Sequence, residues 1–270
     1  MSDHVLAALF VLFTWWISTG VILLLDGLPR STFRYSVTGM SGLALGGLYG
    51  LWWSSRFQTK PAAYLAFSCA LAVWAWHELT FLLGLVTGPR KEPCPPDARG
   101  WRRFVYATAA IIYHELALFL TLLAGVALTW GAPNQVGTWT FLVLWIMRLS
   151  AKLNVYLGVR NLTTEFIPEH LRYLLSYFRK ARLNPLMPVS ITVASTVVWL
   201  LLSKSRASDA NGFVVVGWTL VATLLAMAVL EHLFLTLPVP DALLWRWALR
   251  SGHGTGNPPV SAKPAVRGQP

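Results

Sequence analysis

Seven stretches of about twenty mainly apolar residues follow one another along this chain, at 5–25, 35–53, 62–87, 104–130, 134–158, 186–203 and 212–235. A helix needs about 20 such residues to cross the hydrocarbon core of a bilayer, because it rises only 1.5 Å per residue. In lipid each backbone N–H and C=O must be bonded within the fold, so continuous apolar runs of this length read as helices. The last run is bounded by Pro238 and Pro240, which lack the N–H that a continuing helix requires. Charged residues make up only 12% of the chain, where a soluble protein of this size carries about 25%. The expected fold is an all-α, polytopic integral membrane bundle of about seven transmembrane helices. It forms a single domain over residues 1–250, with a Gly- and Pro-rich tail over 251–270 expected to be disordered.

The first run does not read as a cleaved signal, since Met1 to His4 contain Asp3 and no Lys or Arg, and no small-residue cleavage pattern follows. The net charge of +11 is unevenly placed. With the N-terminus outside, the inside segments hold Arg30, Arg34, Arg90, Lys91, Arg99, Arg102, Arg103, Arg160, Arg172, Arg179, Lys180, Arg182, Arg246, Arg250, Lys263 and Arg267. The outside segments hold only Arg56, Lys60, Lys204 and Arg206. Sixteen against four is a positive-inside bias, which orients the chain and attracts anionic headgroups; nucleic acid is not an expected partner. Cys69 in a span and Cys94 in an inside loop have neither disulfide logic nor metal-site spacing. The fourteen tryptophans suit headgroup-level anchoring and packing between helices.

Against this apolar background the ionisable residues stand out. Of six glutamates, Glu78, Glu115, Glu165 and Glu231 lie in or beside the apolar runs, and three adjoin a histidine: His77-Glu78, His114-Glu115 and Glu231-His232. A charged side chain at the bilayer centre costs about 2.5–3.5 kcal/mol on insertion scales. Counting from the inside loops at about 1.5 Å per residue, Glu78, His114, Glu115 and Arg148 sit at similar depth, with Lys152 one turn from Arg148 on the same face. Glu231 and His232 lie nearer the inside surface.

Three uses of such a cluster follow from its chemistry. The first is a polar network in which Arg148 and Lys152 neutralise the glutamates and the histidines and Asn154 complete the hydrogen bonds. The second is an iron, manganese or zinc site drawing on Glu78, His114, Glu115, Glu165, His170, Glu231 and His232, in the manner of di-metal carboxylate bundles. Adjacent Glu and His diverge by about 100° on a helix, unlike the Glu-x-x-His of those sites, and nearby cations oppose a dication. The third is a histidine serving as axial ligand to a chlorophyll magnesium, or a quinone contact.

The inside segment 159–185 is expected to form an amphipathic helix lying in the cytoplasmic interface. Thr163 or Thr164 would cap its start, and Leu171, Leu174, Leu175 and Phe178 would share one face. It would bring Glu165 and His170 to the rim of the cluster and present Arg172 and Arg179 to a docking partner.

From Trp74 to Pro240 the chain also carries a set of idiosyncratic motifs. They are Glu78-Leu79-Thr80-Phe81-Leu82; Gly88-Pro89-Arg90 with Cys94-Pro95; Tyr113-His114-Glu115-Leu116-Ala117-Leu118; Pro133-Asn134-Gln135; and LWIMRLSAKLNVYLGVRNL over 144–162. Glu165-Phe166 with Pro168, His170-Leu171-Arg172-Tyr173 and Leu230-Glu231-His232 complete the set. In these the chain resembles the PuhE family, the photosynthetic complex assembly protein 2 of purple and related phototrophic bacteria. The resemblance implies the cytoplasmic or intracytoplasmic membrane of a phototroph, with the N-terminus periplasmic and the C-terminus cytoplasmic by the charge bias. It implies a role in forming reaction-centre and light-harvesting complexes or in supplying bacteriochlorophyll. Reaction-centre or antenna subunits and pigment-pathway enzymes would be the partners. The alternative from another class is a membrane metalloenzyme, an oxidoreductase acting on a tetrapyrrole, isoprenoid or quinone.

Overall fold

The computed structural model describes residues 2–162, 167–182, 184–237 and 244–249. Seven long helices carry the fold: α1 (Asp3–Asp26), α2 (Phe33–Ser54), α3 (Lys60–Leu82), α4 (Gly100–Leu128), α5 (Val136–Leu157), α6 (Leu186–Ser205) and α7 (Gly212–Phe234). A short α8 (Arg246–Leu249) follows. Six of the seven are long and apolar enough to cross a membrane. The remaining one, α2, is 22 residues long but diluted by Gly39, Gly42, Gly46, Gly47 and Gly50. The chain is therefore an all-helical bundle of membrane-spanning character, and its expected tail over 251–270 lies outside the described residues.

The helix starts at one end of the bundle follow from side-chain capping. Ser2, Thr59 and Asn211 each accept an amide from the first turn of α1, α3 and α7, satisfying donors that a helix leaves open. At the opposite end Asn184 caps α6 through Leu186 N and Met187 N (3.0 and 3.1 Å) while its amide donates to the Asn154 and Gly158 carbonyls. One side chain thereby ties the end of α5 to the start of α6.

Helix α3 sits at the centre, with buried positions on most of its circumference. Ala63, Ala66 and Phe67 of α3 pack with Ala7 and Val11 of α1 and with Val216, Leu220 and Leu224 of α7. On its other side Cys69 lies against Gly47 and Gly50 of α2, so closely that a Cβ on Gly50 would collide with the Cys69 sulfur. Small residues bring backbones together where lipid supplies no hydrophobic drive for association. The outward faces are apolar instead of charged: Leu120 is 62% exposed, Val193 57% and Trp199 66%. A continuous surface of this kind suits a bilayer and would be unusual on a soluble monomer.

The connections 27–32, 83–99 and 158–185 gather at one end of the bundle, and 55–59, 129–135 and 206–211 at the other. Contacts across each end fix this: Asp3 pairs with Lys60 at 2.6 Å and Asn134 donates to the Ser54 carbonyl, whereas Arg103 donates to the carbonyls of Tyr156 and Tyr177. The basic-rich segments of the sequence thus share one end.

The 159–185 segment differs from its expected form. It contains a 3-10 helix, Glu169–Tyr177, whose buried residues Leu171, Leu174 and Tyr177 recur every three positions. A 3-10 helix eclipses i and i+3, so Leu175 leaves the buried stripe and Tyr177 joins it, while Phe178, just past the helix, is half-buried against the same cluster. The stripe packs on Phe81 of α3 and Ala110 of α4. The proposed caps Thr163 and Thr164, with Glu165, lie outside the described residues.

Candidate functional site

In the half of the bundle nearer the basic end, two ion pairs that join α3, α4 and α5 stand one helical turn apart. Arg148 on α5 reaches Glu78 on α3 (Nη2 to Oε2, 2.8 Å), and Lys152 on α5 reaches Glu115 on α4 (Nζ to Oε1, 2.5 Å). Because residues four apart stack on one helix face, Arg148 and Lys152 form a ladder that bridges two different helices. Lys152 also lies 5.3 Å from the Phe81 ring centroid, within range of a cation–π contact.

Histidine 114 adjoins Glu115 in sequence but points about a quarter turn away, into the interior, where it is fully buried. Its Nε2 lies 4.0 Å from Glu78 Oε1, and its ring packs 4.6 Å from that of Phe81. Neither ring nitrogen has a hydrogen-bond partner among the described residues, and the same is true of Glu78 Oε1 and His77 Nδ1. The other nitrogen of His77, Nε2, bonds the Thr121 hydroxyl at 2.9 Å.

The local backbone explains this placement. The 83–99 connection turns in against α4: the His114 amide donates to the Thr87 carbonyl (3.0 Å), and the Arg90 amide to the Ala109 carbonyl (3.3 Å). A Cβ at Gly88 would collide with the Ala109 carbonyl oxygen, so the Gly-Pro-Arg motif permits a backbone approach that any larger residue would block.

The two pairs do not face the same surroundings. The Lys152 and Glu115 side chains are 19% and 14% exposed, while Arg148 is 43% exposed against 11% for Glu78. Arg148 lies about 15 Å from the end of α5, so this guanidinium is presented on the flank of the bundle at membrane depth. Intramembrane charge of this kind marks sites where a partner, ligand or water meets the protein.

The other sequence-selected residues are distributed elsewhere. Asn154 does not join the ion pairs; it bonds the Ser150 carbonyl and the Ser150 and Ser190 hydroxyls. Ser150 in turn bonds His232 Nε2 at 2.9 Å, and His232 Nδ1 bonds the Ala228 carbonyl. A carbonyl only accepts, so in the neutral ring the proton sits on Nδ1 and Nε2 is the acceptor facing the Ser150 hydroxyl, whose one proton is shared between His232 and Ser190. Glu231 faces another way and accepts from the Trp15 indole at 3.1 Å. His170 Nε2 donates to the Leu82 carbonyl at 2.8 Å, capping α3. Arg172 pairs with Glu169 and is 65% exposed, and Arg179 is exposed. Among the described residues no three His, Cys, Asp or Glu gather closely enough to hold a metal ion.

Sequence reasoning did not find the Ser150–Ser190–His232–Asn154 cluster. Ser150 lies one turn before Asn154, so half of it was readable as a shared face; Ser190, on α6, carries no such signal. It also missed Thr87 and Tyr173, whose buried hydroxyls lie beside each other with no hydrogen bond to any other described residue.

No solved structure matches the chain. A protein of Rhodobacter capsulatus, described as an uncharacterized 30.4 kDa protein in the puhA 5′ region, is 39% identical over 255 residues covering 93% of each chain. A family profile matches residues 1–255. The chain therefore belongs to the protein family of unknown function DUF3623.

Proposed function

We propose that this chain is a membrane factor assisting the assembly of photosynthetic reaction-centre or light-harvesting complexes, or their bacteriochlorophyll supply. The observation that carries the reading is the relative in the puhA 5′ region, 39% identical along nearly the whole chain, whose gene-cluster name matches the PuhE-like motifs. In this reading the protein lies in the cytoplasmic or intracytoplasmic membrane, N-terminus periplasmic, with the basic end cytoplasmic. The Arg148 flank supports it by offering an intramembrane cation to a carboxylate or carbonyl of a neighbouring helix or pigment. Arg172 and Arg179 serve as a second, cytoplasmic contact for a soluble partner; the exposed Arg172–Glu169 pair contributes little stability and exchanges readily.

One observation favours a second reading. His77, Glu78 and His114 leave four buried polar atoms without partners in one place, and buried polar groups normally find partners. In the metalloenzyme reading these atoms take iron, manganese or zinc together with further ligands. A deletion strain separates the two. An assembly factor lowers the amount of complex without altering any pigment's mass. An enzyme of a pigment or quinone pathway leaves a chemically new precursor at normal complex stoichiometry, and that result would overturn the assembly reading. Metal analysis of purified wild type tests the second: a metal-free, fully functional protein sinks it.

A further inference from the structure

At the basic end of the bundle a cavity of about 330 Å³ opens between the 27–32, 83–99 and 158–185 connections, with Arg30, Phe33, Thr87, Lys91, His170 and Tyr173 in its wall. Among the described residues no carboxylate lines it, and neither Arg30 nor Lys91 belongs to an ion pair. Part of the charge already serves the fold. The α3 terminus closes with Leu85 N on the Thr80 carbonyl and Gly84 N on the Phe81 carbonyl, with Gly84 at φ +74, a turn suited to glycine. His170 Nε2 and Lys91 Nζ then donate to the Leu82 and Gly84 carbonyls left over. That leaves the Arg30 guanidinium and the other Lys91 protons for something else.

Two further groups aim at the same space. Thr87 is 1% exposed, and the buried hydroxyls of Thr87 and Tyr173 lie beside each other with no hydrogen bond to any other described residue. Burial pushes the Tyr173 phenol pKa up, only partly offset by the neighbouring Thr87 hydroxyl, so the phenol remains a proton donor. Phe33, the first residue of α2, also lines the cavity. The wall thus combines cations and neutral donors with no anion, placed at the membrane-end level.

We propose that this cavity binds a phosphate group, its oxygens accepting from Arg30, Lys91, Thr87 and Tyr173. The phosphate comes from the headgroup of an anionic lipid in the adjoining leaflet or from soluble phosphate. The proposal is independent of the assembly role. Charge-assisted bonds to several convergent donors distinguish such a site from diffuse attraction between a basic surface and a membrane.

The test uses the purified full-length chain in neutral detergent, titrated separately with phosphatidylglycerol and with inorganic phosphate, bound equivalents being counted by native mass spectrometry. One saturable equivalent is expected. R30Q/K91Q should weaken it by about tenfold or more, and Thr87→Val, which removes a hydroxyl that neighbours only Tyr173, by about threefold without lowering thermal stability. The pair R99Q/R102Q, on the same end but outside the cavity, should change affinity by less than about twofold. Retention of the lipid alone identifies a headgroup site, and retention of phosphate alone a soluble-ligand site; either supports the proposal. Absence of a saturable equivalent of both, or equal losses in R99Q/R102Q and R30Q/K91Q, would reduce the effect to surface charge and overturn it. Should R30Q/K91Q fail to fold, unchanged affinity in Thr87→Val overturns it as well.

Discussion

At the scale of single residues, the Glu78–Arg148 pair shows how an intramembrane charge is tolerated. Two charges removed from water are each unfavourable by several kcal/mol, and their attraction offsets this only with good geometry. At 2.8 Å the geometry is good, so the pair is near neutral as a unit and costly to split. Glu78→Ala should lower stability by about 3–5 kcal/mol, read as loss of folded protein in detergent unfolding, while E78Q/R148Q should recover most of the loss. A double variant as unstable as the single would mean that Glu78 acts mainly through His114 and not through Arg148. The composition of the cluster was legible from the sequence because Glu, Arg and Lys in apolar runs need partners. Its pairing was not. Depth along a helix follows from 1.5 Å per residue, but which helix faces which depends on packing, and that placed Asn154 on Ser150 and Ser190 instead of the ion pairs.

At the scale of elements, the seven long helices were readable to within about five residues of their ends, the largest miss being 62–87 for a helix that stops at Leu82, since apolar length largely decides them in lipid. The 83–99 connection shows what was not readable. Gly88 allows its backbone to press on the Ala109 carbonyl, and Thr87 takes the His114 amide, contacts between segments that no local pattern announces. The 3-10 helix Glu169–Tyr177 was misread for a related reason. Leucines at 171 and 174 satisfy both a three-residue and a 3.6-residue repeat, Leu175 favours the latter, and only the surface of Ala110 and Phe81 selects between them. The distinction is measurable. Leu174→Ala should expose the segment to protease at least several-fold faster and cost about 2–4 kcal/mol locally, whereas Leu175→Ala, half-buried, should change little. Equal effects at both positions would restore the α-helical reading.

At the scale of the whole molecule, charge, topology and site share one axis. The basic connections lie together at one end, the capped starts of α1, α3 and α7 at the other, and Arg148 opens on the flank between them. If the basic end is cytoplasmic, alkaline phosphatase fused after Ala132 should be active and fused after Arg99 inactive; the reverse would invert the orientation. The central claim is that the Arg148 flank acts on a membrane partner during photosynthetic complex assembly. The variant E78Q/R148Q removes both charges while leaving the fold its packing, so it isolates that contact from stability. In cells producing it, the protein's own membrane level should stay near wild type, reaction-centre and antenna complexes should fall, and every extracted pigment should keep its normal mass. Complexes at full amount, or a pigment or quinone of new mass, would contradict the account.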